Sequence, residues 1–135
     1  MLPMTFDGYV LIGDDTALPA IARRLAELPA GAPACVMVEV EDAASEQTLP
    51  SRAQVSWHWL HRKGRAANDA SRLLASLQSL PCPSGDLQVW IAAESTVAQA
   101  LRKHWVGVRG HNPKWIKAAG YWRAGAAGSH EEHND

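Results

Sequence analysis

Apolar residues along the chain fall into short continuous runs separated by amphipathic stretches, the pattern of buried parallel strands joined by helices. The first run, Tyr9 to Gly13, reads as a strand, and Leu18, Ile21, Ala22, Leu25 and Leu28 then recur at helical spacing. Thr16 fits an N-cap, and Pro19 falls in the first turn, where a backbone N–H has no intrahelical partner to lose. A second strand runs from Ala34 to Val40 and leads into an acidic, polar loop from Glu41 to Gln47. A third, Gln54 to Leu60, alternates, with Val55, Trp57 and Trp59 on one face and Ser56, His58 and Leu60 on the other. Beyond the basic turn His61 to Arg65, Asn68 or Asp69 can cap a helix whose stripe is Leu73, Leu74, Leu77 and Leu80, stopped by Pro81 and Pro83. Leu87 to Ala92 predicts a fourth strand, Thr96 to Trp105 a helix, and Trp115 to Trp122 a last strand before a Gly/Ala-rich tail.

Strands alternating with helices imply an α/β fold with a largely parallel sheet and right-handed crossovers. The weak crossover is Asp42 to Ala53, with room for a turn of helix at most. Ligands of such sheets bind beyond the C-terminal strand edge, which selects the turns after Ile12, Leu60, Ala92 and Tyr121. Gly13 to Ala17 and Ala92 to Thr96 are expected to flank the same crevice. A helix that opens just beyond a parallel strand aims its free N–H groups and positive dipole end at the crevice, which favours a phosphate. Against this, only Gly13 remains of the Gly-x-Gly-x-x-Gly fingerprint, and Asp14 and Asp15 would repel a pyrophosphate unless turned outward. The residues alone leave open an ordinary strand-to-helix turn and a nucleotide turn.

Composition narrows the class. An apolar fraction of 47% over 135 residues suits one domain with an adequate core. A formal charge of -1 supplies no field for nucleic acid or an anionic membrane, so any anion site must be local. No apolar run is long enough to span a bilayer and no signal peptide precedes the first strand, so a cytoplasmic location is expected. Cys35 and Cys82 lack metal-ligand spacing and read as two reduced structural thiols, while the histidines, His130 and His133 in the tail among them, are too scattered for a metal site. Asp14 and Asp15 are adjacent in a turn and point apart, and no nucleophile sits beside a base, so hydrolysis is not indicated.

Read together, Gly13-Asp-Asp-Thr-Ala-Leu-Pro-Ala-Ile21, Leu49-Pro-Ser-Arg52, Trp59-Leu-His-Arg62, Val89-Trp-Ile-Ala-Ala-Glu94 and Gly120-Tyr-Trp-Arg-Ala-Gly125 resemble the C-terminal domain of siderophore-interacting proteins, flavin-dependent ferric-siderophore reductases of the ferredoxin-reductase superfamily. The resemblance runs from about Asp7 to Gly125. It implies a Rossmann-like three-layer domain over residues 1–125, with a mostly parallel five-stranded sheet of the ferredoxin-reductase NAD(P)-binding type, followed by a flexible tail over 126–135. It further implies that Gly13, Asp14, Asp15, Thr16 and Ala17 form the pyrophosphate turn, with Thr16 donating at the helix start. His61 and Arg62 would touch the adenosine side, Ala92, Ala93 and Glu94 would approach the nicotinamide, and Tyr121, Trp122 and Arg123 would lie near the flavin. In that family hydride passes from NAD(P)H to FAD in an N-terminal barrel, and electrons then reach ferric iron in its siderophore, the indirect substrate. That barrel is absent from this sequence, so a flavin domain or separate flavoprotein is the expected partner and the isolated chain is expected to be inactive.

Several alternatives stay open at this stage. The cluster His61, Arg62, Lys63 and Arg65 would favour the 2′-phosphate of NADP, whereas Glu39, Glu41 and Asp42 would favour the ribose hydroxyl of NAD. Trp57, Trp59 and Trp90 are expected to fill the core, and Trp122 either closes the sheet edge or stacks on a flavin or nicotinamide. The chain is a piece of a longer protein, a short member paired with a flavoprotein, or a non-catalytic domain that binds a siderophore or partner protein through the crevice or the basic segment Arg102 to Lys117. A dimer through an exposed tryptophan is compatible with the sequence, which does not define the oligomeric state.

Overall fold

The computed structural model of the chain describes residues 6–47, 49–64, 68–80 and 85–122. Cys82, Arg65, Pro81, Pro83, Arg123 and the tail lie outside the described residues. Five strands, β1 (Gly8–Asp14), β2 (Pro33–Val40), β3 (Gln54–His61), β4 (Leu87–Glu94) and β5 (Ile116–Trp122), form one sheet in the order β3-β2-β1-β4-β5. Every neighbouring pair is parallel, so the mostly parallel sheet of the sequence reading is here entirely parallel. Helix α1 (Leu18–Glu27) covers one face, while α2 (Ser71–Ser79) and α3 (Ser95–Lys103) cover the other.

The apolar runs are continuous because the central strands are buried on both sides, so both faces of β1 and of β2 beyond Pro33 are apolar up to the C-terminal ends, where Asp14 and Glu39 are buried with partners. On one face Val10, Ile12, Val89 and Ile91 meet Leu73 and Leu77 of α2 and Val97 and Leu101 of α3. On the other, Tyr9, Leu11, Val36 and Val38 meet Leu18, Ile21 and Leu25 of α1. Each fully buried Leu or Ile contributes on the order of 1.5–3 kcal/mol. Trp57 and Trp59 stack at 5.1 Å with planes 3° apart and pack against the α1-side core, and Trp90 is 5% exposed, so all three fill space as expected. Cys35 is buried within the sheet. The link between β2 and β3 holds a single short turn, Ala43–Ser45, in keeping with its length. Among the described residues no helix is long and apolar enough to cross a membrane.

Three local expectations are corrected. Thr16 is not the N-cap of α1: Asp14 caps a tight turn over Asp15–Ala17, and α1 follows at Leu18 with Ala17 at its cap position. The aspartate wins because its carboxylate accepts from the Thr16 N–H and hydroxyl at once, while Thr16 lies inside the turn. β4 does not stop at Ala92 but continues to Glu94, because Glu94 is still extended while its side chain already caps α3. The predicted helix to Trp105 is regular only to Lys103 and then widens over His104–Val108, where the Arg109 N–H reaches back to the His104 carbonyl at 3.1 Å. The wider turn seats Trp105 at 2% exposure beneath the Arg109 guanidinium, 4.5 Å from its ring centroid.

Candidate functional site

The switch point lies between β1 and β4. The chain leaves β1 through α1 on one face and leaves β4 through α3 on the other, so a crevice opens between the two turns. Gly13, paired with Ala92, lets the strands and α1 close up there. A Cβ at that position would lie 2.6 Å from the Ala92 carbonyl oxygen and 3.2 Å from the Ala17 Cβ. The glycine is therefore required by close packing within the protein itself.

Asp14 does not turn outward; it is 2% exposed. Its Oδ1 accepts from the Thr16 backbone N–H at 3.0 Å and from the Thr16 hydroxyl, and its Oδ2 accepts from the Glu94 backbone N–H at 3.1 Å and the Trp122 indole Nε1–H at 3.1 Å. One carboxylate thus ties together the ends of β1, β4 and β5. Burial raises its pKa above the ordinary 3.8, and the hydrogen bonds from Thr16 and Trp122 pull against that rise. Glu94, 1% exposed, repeats the device on α3, its Oε1 accepting from the N–H groups of Thr96 at 2.8 Å and Val97 at 3.1 Å. The Ser95 hydroxyl donates to the Trp122 carbonyl at 3.1 Å.

Beside this knot lies a second, ionic one. Arg62 follows β3 and is 8% exposed; its Nη2 donates to Asp15 Oδ2 at 3.0 Å, and its Nη1 lies 3.8 Å from Glu39 Oε1. Arg72 of α2 donates from Nε to the other oxygen of Glu39 at 3.0 Å. Burial alone would weaken the Arg62 cation, but the carboxylates of Asp15, Glu39 and Asp14 hold its pKa above the ordinary arginine value. Burial raises the Glu39 pKa, opposed by Arg72 and Arg62. His61 turns away from both clusters, its Nε2 lying 2.5 Å from Glu46 Oε2.

Of the residues the sequence selected, Gly13, Asp14, Thr16, Ala17, Ala92, Ala93, Glu94 and Trp122 converge on the crevice, and Asp15 and Arg62 meet at its flank. His61 does not join them, Tyr121 precedes Trp122 in β5, and Arg123 lies outside the described residues. Sequence reasoning missed Arg72, and it took in Ser95 only as part of the Ala92 to Thr96 turn, without a role of its own. Arg72 meets Glu39 across 33 positions, a pairing that no local pattern signals. Ser95 carried a faint sign, being a hydroxyl residue directly after a strand.

The arrangement offers binding chemistry. Asp14 already holds an N–H group of the tight turn that leads into α1 and Glu94 those at the start of α3, so an anion entering the crevice competes with the protein's own carboxylates. Among the described residues no group of three His, Cys, Asp or Glu side chains is placed to hold a metal ion.

A protein of the same design is known in solved form. A siderophore utilization protein from T. fusca superposes with a TM-score of 0.82 at 36% identity, over 95% of this chain and 49% of that one. The siderophore-interacting protein of Acinetobacter baumannii gives a TM-score of 0.79 at 26% identity, over 93% and 50%. Among curated sequences, an uncharacterized protein of Mycobacterium tuberculosis is 33% identical over 128 residues, covering 88% of this chain and 45% of that protein. The ferric acinetobactin reductase of Acinetobacter baumannii is 28% identical over 120 residues, covering 89% and 41%. The chain therefore spans about half the length of the relatives it matches. With residues 6–125 matching the family described as Siderophore-interacting protein, and with that family's α/β architecture reproduced, this chain belongs to the siderophore-interacting protein family.

Proposed function

We propose that this chain is the pyridine-nucleotide-binding part of a ferric-siderophore reductase system, working with a flavin module supplied elsewhere in a cytoplasmic setting. NADH or NADPH, when bound, supplies a hydride to that flavin, which then passes electrons singly to ferric iron in the siderophore. The chain's own residues position the nucleotide. The Asp15–Ala17 turn, with exposed Thr16, faces the pyrophosphate, and Ala92 to Glu94 line the approach of the nicotinamide. Trp122, fixed by its bond to Asp14, forms the wall toward the flavin. The observation that carries this reading is the crevice at the β1/β4 switch point in a family whose named relatives include ferric siderophore reductases.

A second reading, a non-catalytic domain that binds a siderophore or partner protein, is favoured by one observation: Asp14 and Glu94 occupy donors a phosphate would need. Isothermal titration with NADH and NADPH separates the two. Gly13→Val is unsuitable as the control, because its side chain would run into the Ala92 carbonyl. Thr16→Glu adds a charge at an exposed position. Saturable binding lost in Thr16→Glu is expected, and silence of the wild-type chain with both nucleotides at millimolar concentration would overturn the nucleotide reading.

A further inference from the structure

The sheet face carrying α1 is roofed unevenly. On that side α1 packs over β1 and β2 and shares its apolar cluster with Trp90 and Ala92 of β4, while that cluster includes no residue of β5, whose other face meets α3. Trp90 of β4 is in register with Lys117 of β5 and shares its face, and Arg24 of α1 extends its guanidinium to 5.0 Å from the Trp90 ring centroid. What results is a groove of about 650 Å³ lined by Phe6, Tyr9, Arg24, Glu27, Lys114 and Trp115 among others. It continues into a smaller hollow that adds Trp90 and Lys117. Phe6, Gln88 and Trp115 place it at the N-terminal ends of the strands, the edge opposite the crevice.

The lining has a definite chemistry. Phe6 stands edge-on to Tyr9 at 6.1 Å and to Trp115 at 5.6 Å, making a rigid aromatic corner. Around it are three cations, Arg24, Lys114 and Lys117, and one carboxylate, Glu27, in a chain whose formal charge is -1. The ammonium groups of Lys114 and Lys117 form no ion pair among the described residues. The volume falls within the roughly 300–1,000 Å³ of small-molecule sites. A neutral apolar occupant would desolvate cations without compensation, and a small inorganic anion would leave the aromatic corner unused. A flat ring system carrying a carboxylate satisfies both, stacking in the corner while the cations hold its charge.

We propose that this groove is a second ligand site, specific for a planar aromatic anion of one or two rings. It shares no residue with the crevice and does not rest on nucleotide binding there. The test titrates the chain with 2-naphthoate and with neutral 2-naphthamide, by calorimetry and by amide chemical shifts. Expected are saturable binding of 2-naphthoate with shifts confined to residues lining the groove, and binding of the amide weaker by about tenfold. The exposed pair Lys114→Glu and Lys117→Glu should weaken 2-naphthoate by about tenfold and leave 2-naphthamide unchanged, at an unaltered melting temperature. Equal binding of acid and amide would overturn the proposal in favour of a plain apolar patch. So would shifts elsewhere, no saturation, or a dimer in sedimentation that closes the groove; the amide comparison needs no variant and stands even if the substitutions perturb folding.

Discussion

Asp14→Asn tests the central claim about the crevice, that one buried carboxylate holds three strand ends together. The carboxylate takes four hydrogen bonds, two on each oxygen, from Thr16, Glu94 and Trp122. An amide of the same shape keeps one acceptor oxygen and turns an N–H donor toward either the Thr16 pair or the Glu94 and Trp122 pair, where every partner is already a donor. Bonds to a charged acceptor are worth about 1.5–3 kcal/mol each, and an opposed buried donor costs about 1–3 kcal/mol more. Part of this is offset, because the amide escapes the burial penalty that raises the Asp14 pKa. The expected net loss is about 2–4 kcal/mol, a large share of the 5–15 kcal/mol typical of a domain. In urea, followed by tryptophan fluorescence, this moves the midpoint down by about 1–2 M at ordinary m-values. Trp122→Phe removes one of the four bonds and should cost about 1–2 kcal/mol, with a coupling to Asp14 of similar size in a double-mutant cycle. The pH dependence has a definite sign. A raised carboxylate pKa means the stability contributed by the protonated group is complete below 3.8 and is lost as pH rises through the higher folded-state value. The gap between wild type and Asp14→Asn should therefore widen as pH falls from 7 toward 4. A loss under about 0.5 kcal/mol, or a gap that narrows in acid, would refute the reasoning.

Two further perturbations address neighbouring features. Gly13→Ala places a methyl 2.6 Å from the Ala92 carbonyl, so thermal melting should show a loss of about 1–3 kcal/mol although the backbone there needs no special conformation. Glu39→Gln removes the carboxylate that Arg72 and Arg62 share, although Arg62 keeps Asp15 and Glu41, and should cost about 1.5–3 kcal/mol in urea denaturation, whereas adding Arg72→Met should recover part of that loss.

The fold was largely legible because its signals are local. Continuous apolar runs such as Ala34 to Val40 arise only where both sheet faces are covered, and the helical stripe of Leu18, Ile21 and Leu25 names the face that α1 buries. The crevice was legible in position, since α/β order forces the β1 and β4 turns together. What the residues do there was harder to read. Thr16 and Asp14 are both good caps by type, and although Asp14 caps through Thr16 itself, its second oxygen takes donors from Glu94 and Trp122, which lie 80 and 108 positions away. The basic neighbours of Arg62 leave a phosphate contact open as one alternative, whereas in the structure its guanidinium faces Asp15 and Glu39, and only the register of β3 against β2 brings Glu39 within reach. Charge pairing is a long-range property that sequence spacing does not carry.

That pairing bears on the proposed nucleotide site. Asp14, Asp15, Glu39, Glu41 and Glu94 gather at the C-terminal edge around the two arginines Arg62 and Arg72, so these described side chains offer no excess of positive charge to draw in a pyrophosphate from a distance. Burial raises the pKa values of Asp14 and Glu39, but it creates no attraction. On the proposed reading, affinity at this edge would come from contacts made only at close range: the exposed side of Thr16, the backbone of Ala92 and Ala93, and the face of Trp122. The Asp14 carboxylate that locks β1, β4 and β5 together and the Glu94 carboxylate that caps α3 limit how tightly an anion can be held there, so stability and anion recognition compete for the same N–H groups in the turn before α1 and at the start of α3.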